Sequence, residues 1–208
     1  STAHVLSIRA LAAKAADVLG RPLEEISLVV AHMGGGITIA AIRNGKMVDN
    51  SIALLGEGPF TPQRAGALPT KELVELCYSG KFTRDELFVE LTKRAGLVSY
   101  LNESRVEKIE SRIAKGDTQA QLVLEAMAYQ IGKEIGAMYV AVGDDVEAIV
   151  LSGGIARSEM VVGFIKQRIG HLAPVMIYTE TVEMGAMAAG AYKVLTGQLT
   201  PKRYKLIL

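Results

Sequence analysis

At 208 residues, 50% of them hydrophobic and 22% charged, the chain has ordinary globular content and can bury a sizeable core as one large domain or two small ones. A formal net charge of +1 gives no field to draw the whole chain to nucleic acid or to an acidic membrane surface, so neither is expected as a partner. The single cysteine, Cys77, excludes an internal disulfide, and no apolar run has the length of a membrane span or the pattern of a signal peptide, so a reducing cytoplasm is the expected setting.

In chain order, Leu6 to Leu19 places Leu6, Ile8, Leu11, Ala15 and Val18 on one helical side, with Gly20 as the stop and Pro22 beyond it. His4 precedes this helix and reads, on its own, as a cap or a solvent histidine near the start of the chain. The apolar run Leu28 to Ala31 then predicts a strand that stops at His32 and meets Gly34-Gly35-Gly36. Successive glycines remove every Cβ, permit positive φ and let backbone N–H groups approach an anion, so a phosphate chain would fit this turn. His32 beside it is either a structural strand-end residue or a donor to phosphate, the second favoured over a general base. Asn44-Gly45 predicts a tight hairpin between Thr38–Ile42 and Met47–Ile52. Beyond it, Gly56-Glu57-Gly58-Pro59-Phe60-Thr61-Pro62 suits neither a helix nor a central strand, and the stiff loop presents Arg64.

After Arg64 the pattern turns helical. Thr70 is expected to cap a helix through Leu73, Val74, Leu76 and Cys77 that closes at Gly80, which makes Cys77 a core residue. Thr83 opens a second helix with Leu87, Phe88 and Leu91; Gly96 begins Leu97 to Asn102; and Arg105 to Lys115 reads as a solvated charged helix. The longest helix runs from about Thr118 to Val142, with Leu124, Met127, Ile131, Ile135, Met138 and Val142 on one stripe and Gly132 and Gly136 allowing close packing. Glu147 to Ile155 is a strand ending in Gly153-Gly154, followed by a helix from Arg157 to Ile169. A nucleotide needs separate grips on its phosphates and its nucleoside, and two glycine turns at two strand ends supply two such places. His171 reads as solvated, Pro174 to Tyr178 as the last strand, and Glu183 as the start of a helix whose alanines keep it thin enough to lie on a sheet. The tail from Thr200 to Leu208 is basic and carries no motif. This order gives one mixed α/β lobe with helices over the sheet and no repeat or linker.

The stretch AHMGGGITIAAIRNGKMVDNSIALLGEGPFTPQRAG at residues 31–66, with LVSYLN, EAMAYQIGKEIGAM and IVLSGGIARSE downstream, resembles the butyrate kinase branch of the acetate kinase family. GEGPFTPxR separates that branch from acetate kinases proper. The resemblance implies the ribonuclease H-like/actin-like (ASKHA) fold: a mixed five-stranded sheet with helices on both faces and a helical insertion over about 70–116. Such relatives set two lobes around a cleft, and residues 1–208 look like the C-terminal, nucleotide-binding lobe. Because STAHVLS begins partway through a pattern and the Asn-Pro-Gly-Ser phosphate loop of the first lobe does not occur, an N-terminal lobe is expected to be missing, and the chain alone to be inactive.

The chemistry the resemblance implies is ATP-dependent phosphorylation of a short-chain carboxylate, butyrate or a branched-chain fatty acid, to an acyl phosphate, reversible toward ATP. A carboxylate is already a nucleophile, so alignment and charge neutralisation suffice and no catalytic triad is expected. By the same resemblance Arg64 clamps the transferred phosphoryl or acid group, although Ala65 stands where a hydroxyl residue often follows that arginine. His4 would contact the phosphoryl group, with Ala3 in place of a Phe; His32 and Gly34, Gly35 and Gly36 would hold phosphates. Asn102, Glu103 and Arg105 match the ribose side, Gly153, Gly154 and Ile155 the adenosine end, and Glu183 the vicinity of Mg²⁺. Two readings stay open for several of these: His4 and Asn102 as helix caps, Arg105 as surface, Glu183 as a carboxylate complementing a helix dipole. ATP or ADP with Mg²⁺, an acid or acyl phosphate, the chain's own N-terminal lobe and a homodimer or higher homo-oligomer are the implied partners. The alternative is a non-catalytic actin-like nucleotide-binding or assembly module, since fold alone does not fix activity.

Overall fold

The structure is a computed structural model and describes residues 3–180 and 183–201, the side chain of Glu183 excepted. Leu28–Met33 (β1) is buried at all six positions, as befits a strand covered on both faces. Its neighbours are Ile37–Arg43 (β2), antiparallel to it, and Ala148–Ser152 (β4), parallel to it. Lys46–Asn50 (β3) and Val175–Tyr178 (β5) close the sheet in the order β3-β2-β1-β4-β5. The predicted hairpin forms as read: Asn44 and Gly45 stand at φ 49° and 69°, the two positive values that a type I′ turn requires.

Alternation along the strands divides the core in two. Leu28, Val30, Ala40, Ile42, Ala148 and Val150 face Val5–Leu19 (α1), while Val29, Ala31, Met33, Ile39, Ile149 and Leu151 face Thr118–Val142 (α6) and Glu159–Ile169 (α7). The α6 stripe is buried as expected, from Leu124 to Val142. At Gly132 an added Cβ would stand 3.3 Å from the Arg168 side chain on α7, but at Gly136 it would meet nothing, so only the first glycine serves close helix packing.

Several expectations are corrected by packing. On α1, Leu6 and Val18 are exposed, and Ser7, Ala12 and Ala16 fill the inner face instead. In Thr70–Tyr78 (α2), Pro69 holds the cap position, no residue is fully buried, and Cys77 is exposed, because only Leu73 and Leu76 turn partly inward. Arg84–Lys93 (α3) has the expected start: Thr83 Oγ1 accepts from the Glu86 amide at 3.3 Å while Glu86 accepts from the Thr83 amide at 2.8 Å, and this amide, with the Thr83 hydroxyl that also donates to the carboxylate at 2.8 Å, holds the Glu86 carboxyl below its usual range. Its Phe88, however, is exposed. After Leu97–Leu101 (α4), the charged helix Val106–Ile113 (α5) buries Val106 and Ile109 and so is only half solvated. The helix after β4 begins at Glu159, two residues late, since a 3-10 turn over Gly154–Arg157 intervenes and Ser158 caps α7. Glu183–Leu195 (α8) leans on α1 and leaves Met184 and Met187 exposed rather than covering the sheet. His171 is exposed, as read. The tail from residue 202 lies outside the described residues.

Glu134 sits half-buried on α6, where burial first and then the nearby Glu57 and Asp49 carboxylates push its pKa up. A raised carboxyl pKa means that ionisation opposes folding: the penalty is absent below the unfolded value near ~4 and grows as pH rises through the folded value. Glu134→Gln should therefore raise Tm at pH 7.5 and lose that advantage near pH 4. Equal Tm differences at the two pH values would refute the electrostatic origin.

Candidate active site

Because β1 and β4 are parallel neighbours with His32 level with Ser152, both glycine turns leave the same edge of the sheet side by side. Carboxyl ends of parallel strands are where α/β sheets place ligands. Gly153, at φ 88°, has a structural reason to be glycine: a Cβ there would fall 2.3 Å from the Met33 carbonyl oxygen. Gly34, Gly35, Gly154 and Ile155 all border one cleft of about 620 Å³, walled by Pro62 and Gln63 on one side and by Arg105, Glu107, Glu110, Arg157 and Ser158 on others. A Cβ at Gly35 or Gly154 would touch nothing within 4 Å, so both face open space. Contrary to expectation, none of Gly34, Gly35 and Gly36 takes a positive φ. Their value is space, not backbone freedom.

That is plainest at Gly36, where an added Cβ would lie 2.1 Å from the Arg64 Nη1 atom. The Arg64 guanidinium rests on this glycine and donates to the Ala53 carbonyl. Thr61 fastens the loop to the turn: its hydroxyl donates to the Gly35 carbonyl at 2.8 Å and accepts from the Arg64 amide at 3.1 Å. The amides of Leu97 and Val98 bond back to the carbonyls of Thr61 and Pro62 at 3.2 and 3.1 Å. The stiff loop predicted from Gly and Pro is thus held mainly by hydrogen bonds, and Ala65 joins them through its amide to the Leu91 carbonyl at 3.0 Å.

His32 lies on the other face of the sheet, toward α1, with its Nδ1 3.1 Å from Ser152 Oγ. His4 precedes α1 at its N-terminus, where its side chain makes no capping bond; its Nδ1 is 2.9 Å from Thr38 Oγ1, and its ring centroid lies 4.7 Å from that of His32. The solvent and cap readings of His4 are therefore replaced by membership of a polar cluster.

The acetokinase family model matches residues 2–199. The chain belongs to the acetokinase family. Among solved structures, it is similar to Porphyromonas gingivalis acetate kinase, with a TM-score of 0.82 at 23% identity over 91% of this chain and 54% of that one. A propionate kinase from Francisella tularensis subsp. tularensis SCHU S4 gives 0.76 at 20% identity, covering 88% and 53%. A ROK family protein from Streptococcus pneumoniae TIGR4, in complex with sucrose, gives 0.52 at 15% over 93% and 65%. The fold is that of acetate kinases and ASKHA-type sugar kinases, and the chain spans about half the length of the first two.

In this acetokinase-family chain the remaining candidates divide. Arg105 borders the cleft and grips Glu103 with two bonds of 3.1 Å, which hold the Glu103 carboxyl down to about 2. Asn102 stands apart: at φ 54° it closes α4 and borders a separate hollow with Lys108 and Arg112, so its cap reading is the one the geometry supports. The side chain of Glu183 lies outside the described residues. Sequence reasoning missed Arg157, Ser158, Glu107 and Glu110 as cleft residues. Ser158 before Glu159 was recognisable as a cap, but its 2.5 Å bond to Glu110, 48 residues away, was not.

Proposed function

We propose that this acetokinase-family chain is the nucleotide-binding lobe of a butyrate kinase-like enzyme that phosphorylates a short-chain carboxylate from ATP and runs in reverse from acyl phosphate and ADP. The observation that carries the reading is the convergence of both glycine turns on one cleft, with the Arg64 guanidinium seated on Gly36 of the first turn. The GEGPFTPQR loop favours the butyrate branch over acetate or propionate.

In this reading the nucleoside lies between the Gly154 turn and α5, and the phosphates pass over Gly34 and Gly35. Arg64 neutralises charge that develops on the transferred group, and His4 and His32 donate to its oxygens. The carboxylate needs no base. Mg²⁺, when bound, would offset charge on the phosphates, with Glu183 the residue of this chain that would stand near it. Among the described residues no group of three or more His, Cys, Asp or Glu is arranged to hold a metal ion. A second lobe, which the family resemblance implies, would complete the cleft and exclude water, so the 208-residue chain by itself is expected to bind nucleotide weakly and turn over little. Homodimerisation and a cytoplasmic setting belong to the same proposal; among the described residues no helix is long and apolar enough to cross a membrane.

The test uses Gly35→Val combined with Gly154→Val. Both side chains enter open space, so folding should be preserved while the cleft is filled. Calorimetry with Mg²⁺ and ADP should show affinity at least about tenfold lower, ~1.4 kcal/mol. Unchanged affinity would remove the nucleotide from this cleft. ATP formation by the complete protein from butyryl phosphate, faster than from acetyl phosphate, is the expected signature of the substrate; equal or reversed preference would remove the butyrate assignment.

A further inference from the structure

On β2, β1 and β4 the face of the sheet toward α1 is aliphatic until its last row, where Thr38, His32 and Ser152 stand level across the three strands. Thr38 and Ser152 are both 0% exposed. A buried hydroxyl costs stability unless it is bonded, and a purely structural end to this face would be apolar like the rows before it. Each hydroxyl instead meets one imidazole: Thr38 Oγ1 at His4 Nδ1, 2.9 Å, and Ser152 Oγ at His32 Nδ1, 3.1 Å. The two rings so held lie 4.7 Å apart at 53°.

We infer that Thr38 and Ser152 are positioning residues, each fixing one histidine by its Nδ1 so that His4 and His32 form a preset pair at the strand ends. This rests on the function proposed above, in which both imidazoles act on the transferred phosphoryl group. The choice of hydroxyls has a chemical reason. A hydroxyl both donates and accepts, so it keeps hold of an imidazole nitrogen whether or not that nitrogen carries a proton, whereas a carbonyl or carboxylate would hold only the protonated form. The rings can therefore exchange tautomer or protonation state while keeping their place. The backbone reinforces this, because Thr38 and Ser152 are ladder partners of His32 on either side, and the ring of His4 is brought to the row by the start of α1. Misplacement of a contacting group by about 1 Å can cost on the order of 10²-fold in rate.

The complete protein is compared with Thr38→Val, which keeps the shape and loses the hydroxyl, Thr38→Ser, which keeps the hydroxyl, and Ser152→Ala. Thr38→Val and Ser152→Ala should each lower kcat about tenfold or more with the nucleotide KM within about twofold, and Thr38→Ser should stay near the parent. Histidine ¹⁵N spectra supply the readout that activity does not: the His4 Nδ1 signal should move in Thr38→Val but not in Thr38→Ser, and that of His32 in Ser152→Ala. Unmoved Nδ1 signals, or equal loss in the Val and Ser variants, would overturn the inference. A parent protein without acyl phosphate chemistry would overturn the proposed function instead, and the spectra would still decide whether the hydroxyls hold the rings.

Discussion

Arg64→Ala is expected to lower kcat of the proposed carboxylate kinase by a hundredfold or more, a loss on the order of 3 kcal/mol in transition-state stabilisation, with the nucleotide KM changed less than about threefold. The guanidinium is the cation the loop between β3 and α2 delivers to the glycine turn, and its contact with the Ala53 carbonyl leaves its positive charge uncompensated by any carboxylate bond found among the described residues. Arg64→Lys should recover little, because a lysine carries charge without the planar fork that spans two acceptors. Since the same side chain braces the loop, Tm must be measured beside the kinetics. A kcat within a few-fold of the parent, in a variant of unchanged Tm, would remove Arg64 from the chemistry.

The largest effect on stability is expected at Gly96. This residue sits at φ 64°, ψ −140°, a region open essentially only to glycine, and a Cβ there would fall 1.8 Å from the Thr61 carbonyl oxygen and 2.9 Å from that of Arg64. Both atoms are backbone and belong to the loop that carries the arginine, so relief requires moving that loop off the glycine turn. Gly96→Ala should destabilise by roughly 3 kcal/mol or more and lower Tm by about 6–12 °C. Gly136→Ala is the matched control: inside α6 with nothing within 4 Å of the new Cβ, it should be neutral or stabilising by up to about 1 kcal/mol. Equal melting temperatures for Gly96→Ala and the parent would mean that the loop is not locked in the way the geometry indicates. Loss of activity in Gly96→Ala at a temperature where the chain remains folded would show that the same contact also sets Arg64.

What the sequence determined by itself was local or periodic. The Asn44-Gly45 hairpin follows from two residues that tolerate positive φ, the buried α6 stripe from a 3.6-residue period, the Thr83 start of α3 from a capping box, and the mixed sheet with helices on both faces from element order together with a long run of family-like residues. The glycine turns at residues 34–36 and 153–154 were legible as candidate positions for a ligand because glycines ending a strand are informative without knowledge of neighbours, but that they border one cleft was not. The tertiary structure decided everything that depends on partners distant in the chain. Cys77 belongs to an apolar stretch, yet α2 turns only Leu73 and Leu76 partly inward. Gly36 gives room to a guanidinium 28 positions further on and not to a backbone twist, and α8 lies against α1 and not the sheet. His32 and Gly34 are two residues apart, but strand alternation sends the histidine to the α1 face while the turn opens on the cleft. The bonds from Ser152 to His32, 120 residues apart, and from Thr38 to His4 come from strand register, which a period of two leaves undetermined until the pairing of the strands fixes which side chains share a row.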